Sequence, residues 1–208
     1  MTDGFAPIFF LMRAIFGPPL TMAFRLTTEG RDHLPRKGAA ILVANHASFL
    51  DPIFIGLRAR RPVRFLVSRE FYADRRLNAL LRWFGTIPVG GNGGVVRSFR
   101  HSADVIRRGG LLGIFPEGGI TRDGALRPFR AGAAMIALRT GVPVVPIHVG
   151  GTYEALPRNA RWPRFVPVTL RIGAAIPVDP RRDPTADEIA SLTETIRSAI
   201  TGLAGGRR

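Results

Sequence analysis

Residues 39–51 read AAILVANHASFLD, an apolar run followed directly by a segment that carries polar side chains. The run over 39–44 is apolar without interruption, which is typical of a β-strand buried on both faces of a parallel sheet. From Asn45 to Asp51 polar residues appear, as expected where a buried strand ends and its connection begins. We therefore predict a buried strand over 39–44 with a chemically active loop at its carboxyl end.

Similar short apolar runs recur along the chain, each bounded by glycine, proline or charged residues. Further strands are predicted over 64–67, 86–89, 111–115, 143–149 and 168–172. This spacing leaves room for a helix between most neighbouring strands. Strands that alternate with helices predict an α/β fold, with a largely parallel or mixed sheet flanked by helices.

Three segments outside the predicted strands have apolar residues at helical spacing. One covers 77–84, and a second covers 133–137 and ends at the Thr140-Gly141 stop. In the last segment Thr185 stands where an N-cap is expected, and Glu188 follows at the spacing of a capping box. We expect the final helix to start there and to continue to about residue 203.

The ends of two predicted strands carry polar residues. The segment 45–51 follows the strand at 39–44, and the segment 116–122 follows the strand at 111–115. In parallel α/β sheets, ligands collect at the carboxyl ends of the strands. These two segments are therefore the candidate site.

His46 and Asp51 are five residues apart, so a turn or the first turn of a helix can bring the imidazole and the carboxylate together. The carboxylate would fix the tautomer of the ring, and the other ring nitrogen would act as a general base towards a hydroxyl. The alternative is that Ser48 or Asp51 caps a helix. Ser48 lacks the Gly-x-Ser-x-Gly setting of a hydrolase nucleophile, so we interpret it as a local hydrogen-bonding residue.

The composition favours anionic partners. The formal net charge is +15, and it comes almost wholly from arginine because Lys37 is the only lysine. A positive field of this kind suits anionic lipid, nucleic acid and phosphorylated metabolites, although a GC-rich codon bias would produce the same composition. There is no cysteine, which excludes a thiol nucleophile, a disulfide and a thiolate metal site.

The first 27 residues are unusually apolar, but Arg13 and Gly17-Pro18-Pro19 interrupt them. An uninterrupted stretch of about 20 apolar residues is needed to span a bilayer. We expect a membrane-interfacial helical segment over 1–27, formed by two short helices around residues 17–19, and an α/β domain over 28–208. The alternative is a helix packed on the core of that domain.

Four blocks of the sequence resemble the glycerophospholipid acyltransferase family, which includes the 1-acylglycerol-3-phosphate acyltransferases. They are NHASFLD at 45–51, GTIPV at 85–89, FPEG at 115–118 and VPVVPI at 142–147. The pairing of the first and third blocks is far more specific than either block alone.

The resemblance implies an α/β acyltransferase in which His46 is the catalytic base and Asp51 its partner. It also implies that Glu117 and Gly118 belong to the surface that receives the acceptor. The carboxylate of Glu117 could instead order its loop by accepting backbone N–H groups.

The arginine that would hold the acceptor phosphate is displaced from the family pattern. In the second block five residues, 90–94, intervene before Arg97, and in the third block Gly119 and Ile120 precede Thr121-Arg122. On chemistry alone the first candidate is Arg122, followed by Arg97 and Arg130, since a guanidinium can bind two phosphate oxygens. Each of them could also lie on a solvated face. The glycine-rich stretch 90–94 lacks a P-loop ending and is expected to be a mobile loop.

The resulting expectation is an acyltransferase at the cytoplasmic face of the inner membrane. Its donor would be acyl-CoA or acyl-carrier protein, and its acceptor a lysophospholipid, with 1-acylglycerol-3-phosphate the first candidate. No cofactor, metal or nucleic-acid partner is expected, because histidines and carboxylates lack ligand spacing and no aromatic-and-basic binding motif is present. The alternatives are another lysolipid acceptor, or a non-catalytic basic module that binds a membrane or nucleic acid by charge alone.

Overall fold

A mixed β-sheet forms the centre of the protein. The computed structural model describes residues 5–73, 78, 81, 85–90 and 94–206. The strands are β1 (Thr27–Glu29), β2 (Ala40–Ala44), β3 (Val63–Ser68), β4 (Ile87–Val89), β5 (Leu111–Ile114), β6 (Val144–Gly150) and β7 (Thr169–Ile172). Within the described residues their order across the sheet is β1-β7-β6-β2-β5-β3-β4.

The five strands from β6 to β4 run parallel, whereas β7 pairs antiparallel with β6. Strand β1 pairs parallel with β7 and therefore also runs against the other five. The predicted α/β class with a mixed sheet is confirmed. The short edge strand β1 was not predicted, because its three residues TTE, exposed at both ends, carry no run of apolar residues.

Helices lie on both faces of the sheet. They are α1 (Phe5–Ala23), α2 (Asp51–Arg58), α3 (Gly94–Arg107), α4 (Gly132–Thr140), the short α5 (Thr152–Ala155) and α6 (Ala186–Ala204). Thr185 and Glu188 form the predicted capping box at the start of α6, and α4 ends at Gly141 in a left-handed conformation. The helix predicted over 77–84 lies largely outside the described residues, as does the centre of the glycine-rich stretch 90–94.

Two apolar cores hold the layers together. On one face, α2 and the residues after α1 pack on the sheet through Phe24, Phe54 and Ile55. On the other face, α3, α4 and α6 pack through a second cluster that includes Ile196 and Ile200. Strand β2 contributes to both clusters, and all five of its residues are buried. This explains its uninterrupted apolar sequence.

Strands β2 and β5 are direct neighbours in the sheet. Val43 pairs with Ile114 in the parallel register, so both strands end at the same level. The loop that begins at Asn45 therefore lies beside the loop that begins at Phe115. The sheet places the two candidate segments next to each other, as the sequence predicts.

Helix α1 is continuous through Pro18 and Pro19, so the prediction of two short helices around 17–19 is wrong. The fixed φ of proline fits a helix, but an interior proline loses a backbone hydrogen bond and its ring crowds the carbonyl four residues earlier. Contact with α2 compensates for that loss: a Cβ added at the buried Gly17 would lie 3.6 Å from Leu57 Cδ2. Arg13 adds a hydrogen bond of 2.6 Å from its guanidinium to the carbonyl oxygen of Ala59.

Much of the surface of α1 is apolar and exposed. The exposed fractions are 47% for Phe10, 55% for Leu11, 51% for both Ile15 and Phe16, and 82% for Met22. We call these five residues the apolar face of α1. Within the described ranges, no helix has both the length and the hydropathy that crossing a bilayer requires.

Helix α1 is terminated by a residue with an unfavourable backbone conformation. Arg25 has a φ of 42°, and the N–H of Leu26 donates back to the carbonyl oxygen of Thr21. Glycine is the usual residue at this position of a helix end because it has no Cβ to clash with the backbone.

We expect Arg25→Gly to raise the free energy of unfolding by about 0.5–1 kcal/mol, since relief of the left-handed strain exceeds the added chain entropy. Chemical denaturation measures the change. The control is Arg36→Gly, at an exposed loop position outside the left-handed region, which should be neutral or destabilising. A loss of stability in Arg25→Gly would contradict the assignment of strain to Arg25.

Candidate active site

Asp51 is the first residue of α2, and its carboxylate is fully buried. Its Oδ2 accepts backbone N–H groups from Ala47, at 2.7 Å, and from Ser48, at 2.8 Å. The same oxygen lies 2.9 Å from Nδ1 of His46. A carboxylate only accepts hydrogen bonds, so Nδ1 of the ring is the donor. The imidazole and the carboxylate are therefore in contact, as the spacing of the two residues predicts.

The ring of His46 is oriented towards accessible space. With the hydrogen on Nδ1, the lone pair of the neutral imidazole is on Nε2. The side chain is 16% exposed, which leaves an edge of the ring accessible from outside. A base in this arrangement can take a proton from a bound hydroxyl, provided that the hydroxyl reaches Nε2.

Two phenylalanines hold the ring from one side. The rings of His46 and Phe115 stack with centroids 4.0 Å apart and an angle of 15° between their planes. Phe65 on β3 stacks on Phe115 in turn, at 5.5 Å and 9°. This stack restricts rotation of the imidazole in a direction that Asp51 does not control. Neither aromatic residue was assigned a role from sequence, although Phe115 begins the FPEG block; the signal for Phe65 is its position in a neighbouring strand.

Glu117 joins the two loops. The residue is 3% exposed, and its two carboxylate oxygens accept the backbone N–H groups of His46, at 2.7 Å, and of Arg127, at 2.9 Å. Burial raises the pKa of Glu117, and the two N–H groups oppose that shift. Both oxygens therefore have a backbone donor, which is the loop-ordering role considered for this residue above.

Ser48 and Asn45 attach the His46 loop to the elements beyond it. The Ser48 hydroxyl donates to the carbonyl oxygen of Leu156, at 2.8 Å, which confirms its interpretation as a local hydrogen-bonding residue. The Asn45 amide donates to the carbonyl oxygen of Val149 and accepts its N–H. This side chain thus continues the pairing of β2 with β6 past the end of β2.

A cavity of about 200 Å³ lies beside the dyad. His46, Glu117 and Thr121 form one wall, and Ile200 and Thr201 of α6 form another. Thr121 also donates its N–H to the carbonyl oxygen of His46, at 3.0 Å. The described cavity walls therefore combine the proposed base with both polar and apolar groups.

His148 of β6 also lines this cavity, and no sequence motif marks it as a site residue. Its Nδ1 is buried and has no hydrogen-bond partner within the described part of the chain. Burial lowers the pKa of His148, the charge of Arg171 lowers it further, and Asp51 opposes the shift. The position near the carboxyl end of a strand that pairs with β2 is the signal that could have identified it.

The lowered pKa predicts how pH affects stability. A histidine that is harder to protonate in the folded state stabilises the fold above its unfolded pKa, near 6.5. This stabilisation is lost as the pH falls below that value and through the folded pKa. Above neutrality, the difference in unfolding free energy between the wild type and His148→Asn should not change with pH. Below neutrality, the wild type should lose stability relative to the variant as the pH falls, by at most ~1.4 kcal/mol per pH unit. Urea denaturation from pH 8 to pH 5 tests this, and a difference that does not vary with pH would contradict it.

The three candidate arginines lie in different places. The guanidinium of Arg130 packs against Gly118, so closely that a Cβ added there would overlap it. The backbone N–H of Arg130 donates to the carbonyl oxygen of Pro116. Arg122 is exposed, and its carbonyl oxygen accepts the hydroxyl of Tyr153. Arg97 is exposed near the start of α3, beyond the edge strand β4. The side chain of Arg130 therefore contacts the loop that carries Glu117.

Apolar residues are exposed on the outer side of the dyad. Phe49 is 46% exposed and Ile53 is 42% exposed, and the ring of Phe49 lies edge-on to Phe71 with centroids 6.0 Å apart. Phe49 lies between His46 and Asp51 in sequence. An apolar surface thus adjoins the loop that carries His46. Histidine and acidic side chains of the described ranges form no group of three that could hold a metal ion.

Comparison with known proteins identifies the family. The model of the acyltransferase family matches residues 25–150, more than half of the chain. The chain belongs to the acyltransferase family, as its sequence blocks predicted.

Individual relatives agree with this assignment, and a solved structure shares the fold. A chloroplastic 1-acyl-sn-glycerol-3-phosphate acyltransferase of Brassica napus is 30% identical over 140 residues, which are 66% of this chain and 40% of that protein. The 1-acyl-sn-glycerol-3-phosphate acyltransferase of Borreliella burgdorferi is 28% identical over 178 residues, or 82% of this chain and 69% of that one. The crystal structure of the acyltransferase PlsC of Thermotoga maritima has the same fold, with a TM-score of 0.77 and 24% identity over 97% of this chain and 81% of that one. The chain thus matches only about two fifths of the Brassica relative.

Proposed function

We propose that the protein transfers a fatty acyl group from a thioester to the free hydroxyl of a lysophospholipid. The observation that carries this proposal is the Nδ1–Oδ2 distance of 2.9 Å between His46 and the buried Asp51. The fixed tautomer leaves Nε2 free to act as a general base in an accessible cavity. Membership of the acyltransferase family supports the same reaction.

The reaction needs no covalent enzyme intermediate. The acceptor oxygen attacks the carbonyl carbon of the thioester while its proton passes to Nε2 of His46, and the buried Asp51 carboxylate stabilises the imidazolium. The carbon–sulfur bond then breaks and the leaving thiolate takes the proton back. Because a thiolate leaves readily, one base and one orienting carboxylate are sufficient. This is consistent with a chain that has no cysteine and with the buried, hydrogen-bonded Ser48.

We propose 1-acylglycerol-3-phosphate as the acceptor, which would make phosphatidate the product. The named substrate of the Brassica and Borreliella relatives supports this choice. Arg130 is the first candidate for the acceptor phosphate on geometry, since it contacts the Glu117-Gly118 loop, and Arg122 and Arg97 remain candidates on chemistry. Another lysolipid acceptor is the alternative, because the arginine spacing departs from the family pattern.

The donor would be acyl-CoA or acyl-carrier protein. Both are anionic, and a net charge of +15 favours encounter with either of them. A donor panel with matched acyl chains separates the two.

We also propose that the protein works at the cytoplasmic face of the inner membrane, held there by α1. The apolar face of α1 supports an interfacial position, in which large side chains enter the boundary between headgroups and acyl chains. Phe49 and Ile53 place a second exposed apolar surface beside the dyad. Both substrates carry acyl chains, so an active site that faces the lipid surface would receive them directly.

Substitution of the dyad tests the mechanism. We expect His46→Ala to lower kcat by about 10²–10⁴-fold, the usual contribution of a general base, and Asp51→Asn to lower it by about 10²-fold or more. Turnover is measured with labelled acyl thioester and 1-acylglycerol-3-phosphate, and circular dichroism verifies that each variant is folded.

The matched control is His101→Ala, which removes an exposed imidazole from α3. Its kcat should stay within about twofold of the wild type, since it removes no general base. Undiminished turnover by His46→Ala would rule out the proposed role of the dyad.

A further inference from the structure

A second cavity, of about 560 Å³, lies between α1 and α2, away from the cavity beside the dyad. Its walls include Arg13 from α1, Arg58 from the last turn of α2 and Arg31 from the turn that follows β1. We call this cavity the arginine pocket. Gly17 and Leu57, where the two helices meet, also line it.

Within the described residues, no carboxylate forms an ion pair with an arginine of the arginine pocket. Asp32, the neighbour of Arg31, pairs with Arg60 at 2.7 Å, and Glu29 pairs with Arg171 at 3.2 Å. Both nearby acidic side chains on this part of the chain are therefore engaged with arginines outside the pocket.

Two of the arginines are held in place by neutral groups. The guanidinium of Arg13 donates to the carbonyl oxygen of Ala59, and that of Arg58 donates to Leu26 and Thr28. Burial lowers the pKa of Arg58, and the charges of Arg31 and Arg13 lower it further. These guanidinium groups therefore repel one another, and an anion between them would relieve that repulsion.

The rim of the arginine pocket is apolar. Met22 lines the pocket and is 82% exposed, and it belongs to the apolar face of α1. A free ion would use only the arginines. A phospholipid could place its phosphate on them while its acyl chains lie along Met22 and the rest of that face.

We propose that the arginine pocket binds the phosphate of an anionic phospholipid headgroup and so fixes the position of α1 at the membrane surface. Guanidinium groups suit this ligand because each can donate two hydrogen bonds to phosphate oxygens. The proposal rests on the membrane position of α1 proposed above and is independent of acyl transfer.

The arginine pocket is separate from the site of the reaction. Asp51 is the first residue of α2 and Arg58 the last, so their backbone positions lie roughly 10 Å apart along the helix axis. The described linings of the two cavities also have no residue in common. The lipid bound here is an anchor and not the substrate.

Arg31→Gln is the cleanest variant, because Arg31 is exposed and Arg13 and Arg58 have structural hydrogen bonds. Binding is measured by co-sedimentation with vesicles of phosphatidylcholine mixed with phosphatidylglycerol, at about 0.1 M salt. We expect binding to fall about five- to tenfold, the loss of one basic contact at an anionic surface. The control Arg182→Gln removes the same charge at an exposed position shortly before α6, on the other side of the sheet, and should bind like the wild type.

Equal losses in the two variants would overturn the proposal, since diffuse charge would then explain binding. Equal binding of the wild type to vesicles with and without phosphatidylglycerol would overturn it as well. Competition with inorganic phosphate tests whether the pocket binds a free ion or a lipid headgroup. If phosphate releases the protein from vesicles at concentrations comparable to that of the lipid, the pocket is an ion site and the proposal is wrong.

Failure of the anchor and failure of the proposed reaction are distinguishable. His46→Ala should bind the vesicles like the wild type, whereas Arg31→Gln should keep its turnover on substrate dispersed in detergent.

Discussion

The site depends on one buried oxygen, Oδ2 of Asp51, which accepts hydrogen bonds from the ring of His46 and from two backbone N–H groups. A fully buried carboxylate is costly unless such donors satisfy it. The two backbone donors come from the loop that carries His46, so the interaction that orients the ring also shapes the loop that presents it. The same oxygen therefore determines both the shape of the loop and the orientation of the imidazole.

Glu117 extends this arrangement to the neighbouring strand. Strands β2 and β5 end at the same level because their apolar residues pair in register, and Glu117 then accepts the N–H of His46 across the gap. His46 is thus held by one carboxylate from its own connection and a second from the adjacent one. The stacked rings of Phe115 and Phe65 restrict the imidazole from a further direction. Rigidity of this kind is what a positioned general base requires.

The sequence predicts the parts of this structure that depend on local patterns. The buried strand β2, the capping box of α6 and the His46–Asp51 pairing all follow from residue spacing or apolar runs. Features that depend on distant parts of the chain were missed. Examples are the edge strand β1, the contribution of His148 to the cavity and the unbroken course of α1. In α1, contact with α2 outweighs two helix-breaking prolines, and that contact has no signal in the local sequence.

The central claim is that Asp51 keeps the hydrogen of His46 on Nδ1 and leaves Nε2 as the base. Nitrogen NMR of the ¹⁵N-histidine-labelled protein, at a pH where the ring is neutral, measures this directly. The account predicts that the Nδ1 resonance of His46 is that of a protonated nitrogen and the Nε2 resonance that of an unprotonated one, and that Asp51→Asn disturbs this assignment. A neutral His46 with its hydrogen on Nε2 and a bare Nδ1 facing Asp51 would contradict it.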